Sequence, residues 1–211
     1  RAAAMFSMDM GTGKSRVVVE LIGLKKLHNA LIVCPSSVIG VWPSQFRQFV
    51  NYPVKAIPMN QSLSVLKRTI EAERELALAK IKKECGVVII NYEAAYRPEF
   101  VDWAERQRFD LMVLDESHRI KSPSGITSRT IYKLGASIPN RLCLTGTMMP
   151  HGPLDIYSQF RFLDVGVFGG SFVKFRARYA VMGGYGNHQI QRYQNIDELT
   201  SILSRNCFKA G

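Results

Sequence analysis

"AMFSMDMGTGKSRVVVELI", residues 4–22, passes from a short apolar run through a glycine-rich turn into a stretch with helical spacing. The phosphate-binding pattern G-x-x-x-x-G-K-[ST] is filled in its last three places by Gly13, Lys14 and Ser15, while Met8 holds the place of the first glycine. Gly11 and Gly13 permit the backbone conformations that turn main-chain N–H groups inward around an anion, so Met10, Gly11, Thr12, Gly13, Lys14 and Ser15 form the expected cradle. In that reading Lys14 reaches the outer phosphates of a nucleotide, Ser15 holds Mg²⁺, and the following helix presents its N-terminus to the anion. The alternative is a chance strand–turn–helix that binds nothing.

The rest of the chain repeats the strand-to-polar transition. "ALIVC" runs into "PSS", "GVVII" into "NYE", "LMVL" into "DESH" and "RLCL" into "TGT"; "VKAIPM", 54–59, is a weaker strand candidate. Such runs suit strands buried on both faces of a parallel sheet. Residues 14–27 predict a helix burying Val17, Val18, Leu21 and Leu24. Residues 62–84 predict a surface helix burying Leu66, Ile70, Ala77 and Ile81, and 153–163 and 196–203 predict two more. Alternating strands and helices imply an α/β fold with a doubly wound, mostly parallel sheet flanked by helices. A parallel sheet brings all strand carboxyl ends, and hence all five polar clusters, to one rim, where ligands of such sheets bind.

On that rim "VLDESH" supplies acids. Asp115 and Glu116 project in different directions from a strand end, so one carboxylate serves Mg²⁺ and the other orients or deprotonates a water. Two solvated acids at a strand end are the plainer alternative. His118 either relays between the nucleotide and a second site or caps a turn.

Composition agrees with a soluble domain: 211 residues, 46% hydrophobic and 21% charged. The 28 Lys+Arg against 17 Asp+Glu give a net charge of +11, which favours a polyanionic partner. Cys34, Cys85, Cys143 and Cys207 form no C-x-x-C pair, so zinc ligation is not expected, and Cys34 and Cys143 read as buried thiols of a reducing compartment. No apolar run approaches the ~18 residues of a membrane span, and the first ten residues lack signal-peptide regions. The expectation is an intracellular protein, neither secreted nor membrane-bound, and a piece of a longer chain.

Taken together, "MDMGTGKS", "LIVCPSSVIGVWPSQF", "NYE", "LDESHRIKSPSG" and "LTGT" resemble motifs I, Ia, Ib, II and III of superfamily-two helicases. Within that DEAD/DEAH-like group the pattern is most similar to the Swi/Snf-type double-stranded DNA translocases. The Arg119-Ile120-Lys121 run after motif II, Pro35 and Trp42 around motif Ia, and "PHGPLDIYSQFRFLD" after motif III resemble this branch, its phage or bacterial members included. The resemblance implies a RecA-like P-loop ATPase lobe over 1–165, with ATP and Mg²⁺ as cofactors. It implies that Gly11 to Ser15 bind ATP and that Ser15, Asp115 and Glu116 serve Mg²⁺ and water, with Lys14, Asp115 and Glu116 as the catalytic set. It further implies that His118, Thr145 and Thr147 couple hydrolysis to the track, and that Ser36, Ser37, Asn91, Tyr92 and Lys121 lie near a nucleic-acid backbone. Ser36 and Ser37 are also explained by ordinary helix capping.

The sequence departs from the family at Ser7 and Met8, which replace small and acidic residues ahead of the loop, and at Met148, where proline usually follows T-G-T. A second motor lobe with its arginine-bearing motifs is not in the chain. Residues 166–211 are expected as a helical extension of the same lobe. There Phe172, Phe175 and Tyr179 at helical spacing read better as one helix's core face than as a DNA grip. The reading is an ATP-dependent motor on nucleic acid, double-stranded DNA first, working with a second RecA-like lobe. A strand-separating RNA or DNA helicase and a non-catalytic nucleic-acid-binding module on a retired ATPase fold are the alternatives.

Overall fold

A computed structural model describes residues 2–9, 11–187 and 189–210. Strands β1 (Ala2–Met8), β2 (Asn29–Cys34), β3 (Val54–Pro58), β4 (Cys85–Asn91), β5 (Leu111–Asp115), β6 (Asn140–Thr145) and β9 (Cys207–Ala210) form one sheet in the order β3-β4-β2-β5-β6-β1-β9. Every pairing in it is parallel. Strands β7 (Ala180–Gly183) and β8 (Gln189–Tyr193) make a separate antiparallel hairpin. The helices are α1 (Lys14–Leu24), α2 (Trp42–Phe49), α3 (Val65–Ile81), α4 (Tyr92–Ala95) and α5 (Pro98–Gln107), followed by α6 (Ile126–Ala136), α7 (Ile156–Leu163), α8 (Val165–Phe168), α9 (Phe172–Tyr179) and α10 (Ile196–Asn206). The α/β, doubly wound class expected from the sequence is the one observed.

Two cores sandwich the sheet. Alternate residues of β2 divide between them: Ala30, Ile32 and Cys34 pack with Val18 and Ile22 of α1 and Trp42 and Phe46 of α2. Leu31 and Val33 face the opposite core, which contains Phe100, Trp103, Ile131, Phe160 and Leu199 from helices on the other side. Burial on both faces is why these strands read as continuous apolar runs rather than as alternating ones.

Two helix faces differ from expectation. On α1 the buried residues are Val18, Val19 and Ile22, and Leu24 is 80% exposed. On α3 they are Thr69, Ala72 and Ala79, whereas Leu66, Ile70 and Ile81 are exposed. Both stripes of α3 have helical spacing, and periodicity alone selects the more apolar one. The small stripe wins because α3 crosses the start of β4 closely: a Cβ on Gly86 would lie 2.5 Å from Leu76. Residues 166–211 also contain more than helix, since they hold the hairpin and β9, which extends the main sheet beyond β1. Phe175 and Tyr179 are buried on α9, as the core-face reading expects.

At the opposite rim from the polar clusters, three basic residues, Lys26, Lys83 and Arg108, follow the ends of α1, α3 and α5 with φ of 49°, 57° and 49°. Glycine takes that left-handed conformation without steric cost; other residues give up about 1 kcal/mol.

Candidate functional site

The turn after β1 closes as the glycines demand. Gly11 and Gly13 have φ of 84° and 92°, and an added Cβ at either would meet open space, so the requirement is conformational rather than steric. Gly13 caps α1, and Lys14 is its first residue, with Ser15 in the same turn. Met10 lies outside the described residues. The Thr12 hydroxyl donates to the Asp9 carbonyl at 2.6 Å. The Lys14 ammonium folds back on its own loop, donating to the Met8 and Asp9 carbonyls at 2.7 and 3.0 Å. Beside the loop, Val17, Leu21 and the exposed Leu24 face Phe49 across an open hollow of about 580 Å³, and the Arg16 guanidinium stands 5.6 Å over the Phe49 ring.

Two strands away β5 ends in Asp115, buried at 8% exposure. The Trp42 indole N–H donates to its Oδ2 at 3.2 Å, and the Tyr92 hydroxyl donates to its carbonyl at 2.9 Å. Burial and then the neighbouring Glu116 push the Asp115 carboxyl up from 3.8 to about 6, against the opposing pull of the Trp42 bond and the Lys14 charge. Among the described residues Asp115 has no ion pair, which leaves a buried acid able to take a cation.

Glu116 occupies the left-handed region at φ 52°. Its Oε2 lies 3.3 Å from His118 Nδ1 and accepts a long hydrogen bond from Thr145 Oγ1 at 3.5 Å. His118 Nδ1 is also 3.1 Å from that hydroxyl, and the Thr147 N–H donates to it at 3.1 Å. The strain at Glu116, about 1 kcal/mol, thus aims one acid at the turn after β6 while Asp115 faces the core and Trp42. That turn reaches the phosphate-type loop as well, since Gly146 sits 3.7 Å from the Met8 carbonyl measured from its Cβ position.

Gln159 on α7 was not singled out in the sequence, yet it is fully buried between the two turns. It accepts from the Ser117 hydroxyl at 2.7 Å and donates to the Met148 and Asp155 carbonyls at 2.7 and 3.1 Å. Met148, in the family's proline place, is buried and held through this bond. The signal available was a polar residue inside the apolar run "IYSQFRFL".

Ser36 and Ser37 are exposed on a short 3-10 turn after β2, and no side-chain bond caps that turn, so capping does not explain them. On the adjacent strand Asn91 pairs with Cys34, and its side chain bridges Arg68 at 3.4 Å and Glu93 at 2.8 Å. Glu93 also pairs with Arg119 at 3.3 Å. Tyr92 differs from expectation. It is 3% exposed with its hydroxyl on the Asp115 carbonyl, so it braces the acid-bearing strand and offers no ring to a ligand. Asn91 is also largely buried, whereas Lys121 is half-buried on the turn after Glu116. No cluster of metal-ligating residues of the His/Cys/Asp/Glu kind occurs among the described residues.

A model of the SNF2-related domain family matches residues 2–210. Among curated proteins, the DNA excision repair protein ERCC-6-like of Mus musculus is 25% identical over 190 residues, covering 85% of this chain and 14% of its own length. The DNA repair and recombination protein RAD54B of Gallus gallus is 27% identical over 179 residues, covering 80% of this chain and 18% of its own. The chain therefore spans less than a fifth of these relatives. Among solved structures, the Sulfolobus solfataricus SWI2/SNF2 ATPase core in complex with dsDNA superposes with a TM-score of 0.70 at 19% identity, over 99% of this chain and 40% of that one. The Pyrococcus furiosus Hef helicase domain follows with a TM-score of 0.58 at 19% identity, over 77% of this chain and 33% of that one.

Proposed function

Because the chain belongs to the SNF2-related domain family, we propose that it is the ATP-binding and ATP-hydrolysing first lobe of a motor that tracks along double-stranded DNA. The observation that carries this reading is the meeting, on one rim, of the Gly11–Ser15 turn, the Asp115–Glu116 acids and the Thr145 turn.

In this proposal the triphosphate takes the Lys14 ammonium from the Met8 and Asp9 carbonyls, and the open hollow beside Phe49 seats base and ribose. Ser15 and Asp115 hold Mg²⁺; the buried, unpaired carboxyl of Asp115 fits a cation better than it fits solvent. Bound there, Mg²⁺ supplies positive charge to the phosphate oxygens. Glu116, held by His118 and Thr145, orients and deprotonates the attacking water. Thr145 and Thr147 then carry the state of that acid toward the exposed rim, where Ser36, Ser37 and Lys121 meet the nucleic-acid backbone.

The test is Glu116→Gln in the protein joined to a second lobe, with turnover measured on duplex DNA, single-stranded DNA and RNA. Mg-ATP binding is expected to persist while duplex-stimulated turnover falls about 10²-fold or more. Undiminished turnover transfers the role elsewhere. Stimulation by single strands alone replaces the duplex translocase with a strand-separating helicase.

A further inference from the structure

Between Asp164 and Asp197 the sequence holds no acid, yet it holds Lys174, Arg176, Arg178 and Arg192. The nearest acids are mostly engaged or distant. Asp164 accepts from the Gly166 N–H at 2.8 Å and lines a crevice with Ala3 and Ala4, at the start of β1. Asp155 accepts from the His151 N–H at 2.8 Å. Glu198 takes up Arg178 through two bonds of 2.8 and 2.6 Å and accepts from the Tyr179 hydroxyl at 2.6 Å. Lys174, Arg176 and Arg192 make no ion pair among the described residues, and they stand against Asp197 in the first turn of α10. Phe175 and Tyr179 of α9 go to the core, so Lys174 and Arg176 are left at the surface beside them, exposed and half-buried respectively.

Helix α9 runs straight into the β7–β8 hairpin, where Val181 pairs with Arg192. Successive residues of a strand point to opposite faces, yet Gln189, Ile190, Gln191 and Arg192 are all exposed, so both faces of β8 are open. The tip is turned by Gly184 and Gly186, with φ of 75° and 69°, and it carries Tyr185 at 101% exposure. The base is fixed. The Tyr193 hydroxyl and ring fill the space a Cβ on Gly152 would need, in the loop that follows Thr147, and the Gln194 N–H donates to the Tyr179 carbonyl at 3.0 Å. Packing explains this root, but neither the bare strand nor a tyrosine wholly in solvent.

We propose that the hairpin is a further contact to duplex DNA, with Lys174, Arg176 and Arg192 on phosphates and β8 laid against a groove behind Tyr185. The identity of the polyanion rests on the proposed function; the surface itself rests on charge and shape. A two-stranded ribbon fits the B-DNA major groove, roughly 12 Å wide, and arginine and glutamine side chains suit phosphates and base edges. An anionic membrane is the weaker fit, because β8 offers Ile190 as its exposed apolar side chain beside two glutamines and an arginine.

The experiment follows binding of the nucleotide-free chain to a fluorescein-labelled duplex by anisotropy as salt is raised from about 50 to 200 mM. Each phosphate contact contributes about 0.9 to the slope of log affinity against log salt, so Lys174→Ala/Arg192→Ala is expected to lower that slope by about 2. Arg192→Lys should keep it, as should Lys26→Ala at the opposite rim. Tyr185→Ala is expected to weaken binding about fivefold at unchanged slope, since a ring contact releases no counterion. The substituted side chains are exposed, and thermal melts confirm that the variants fold. Mg-ATP affinity should be the same in all of them, which separates failure of this contact from failure of the nucleotide reading. A double variant with the wild-type slope, or a wild-type chain that does not hold the duplex, would overturn the proposal. Tighter binding to a single strand than to the duplex would overturn it in favour of a single-strand grip, and binding to phosphatidylserine vesicles but not to the duplex in favour of a membrane contact.

Discussion

Asp115 is buried without an ion pair among the described residues, and the fold gives up stability for this. Its carboxyl titrates near 6 in the fold against 3.8 when unfolded, so the folded state binds the extra proton between those values. The penalty is fully present above about pH 6 and fades as pH falls toward 3.8; the rise corresponds to about 3 kcal/mol at most. Asp115→Asn, which can still accept from Trp42, is expected to melt higher than the wild type at pH 8. That advantage should shrink between pH 7 and 5, which calorimetry across pH will show. Gln159→Leu leaves the Ser117 hydroxyl and the Met148 carbonyl without their buried partner. A loss of about 2–4 kcal/mol by urea denaturation is expected, and, on the proposed function, slower turnover with Mg-ATP affinity retained. Asp115 and Thr145 were legible because each directly follows an apolar run, and Lys14 and His118 because they stand in the polar clusters after such runs. The bonds that Trp42, Gln159 and Arg68 make were not, since their partners lie 73, 42 and 23 residues away and only the fold makes them neighbours.

Among the elements, the central strands were legible because burial on both faces leaves an uninterrupted apolar stretch, as in β2 and β4. Helix faces were less so. On α3 an alanine-rich stripe and a leucine–isoleucine stripe share the same spacing, and the close approach to Gly86, a tertiary fact, decides between them. Strand β9 left no readable signal, because four residues, "CFKA", show no period. It nonetheless pairs with Met5–Met8 of β1 and stacks Phe208 on Phe6 at 5.2 Å, shielding the strand that leads into the glycine turn. Removing residues 207–211 is expected to cost about 2 kcal/mol, from lost ladder bonds and an uncovered Phe6, by chemical denaturation. On the proposed function it should weaken Mg-ATP binding too, because β1 then becomes an edge.

For the whole molecule, the parallel sheet separates two polar ends. One rim gathers the residues proposed for nucleotide and DNA, and the other carries Lys26, Lys83 and Arg108. The chain covers 40% of the archaeal ATPase core it superposes on, so the proposed chemistry has to be measured with that share in mind. An arginine supplied from outside a nucleotide site is worth about 10³–10⁵ in rate, and the 211-residue chain alone is expected to hydrolyse ATP slowly even with duplex DNA present. Single-turnover assays with and without DNA check this. Brisk DNA-stimulated turnover by the chain alone would contradict the two-lobe proposal. Mg-ATP at about a hundredfold over its Kd should still raise stability by about 2.7 kcal/mol.

The ammonium that grips the Met8 and Asp9 carbonyls makes Lys14 a tether for its own turn before any ligand arrives. Truncating it to alanine therefore removes two things at once, an anchor inside the resting protein and a contact to an incoming anion. Melting the ligand-free variant isolates the first, and whatever affinity loss remains after that subtraction belongs to the second.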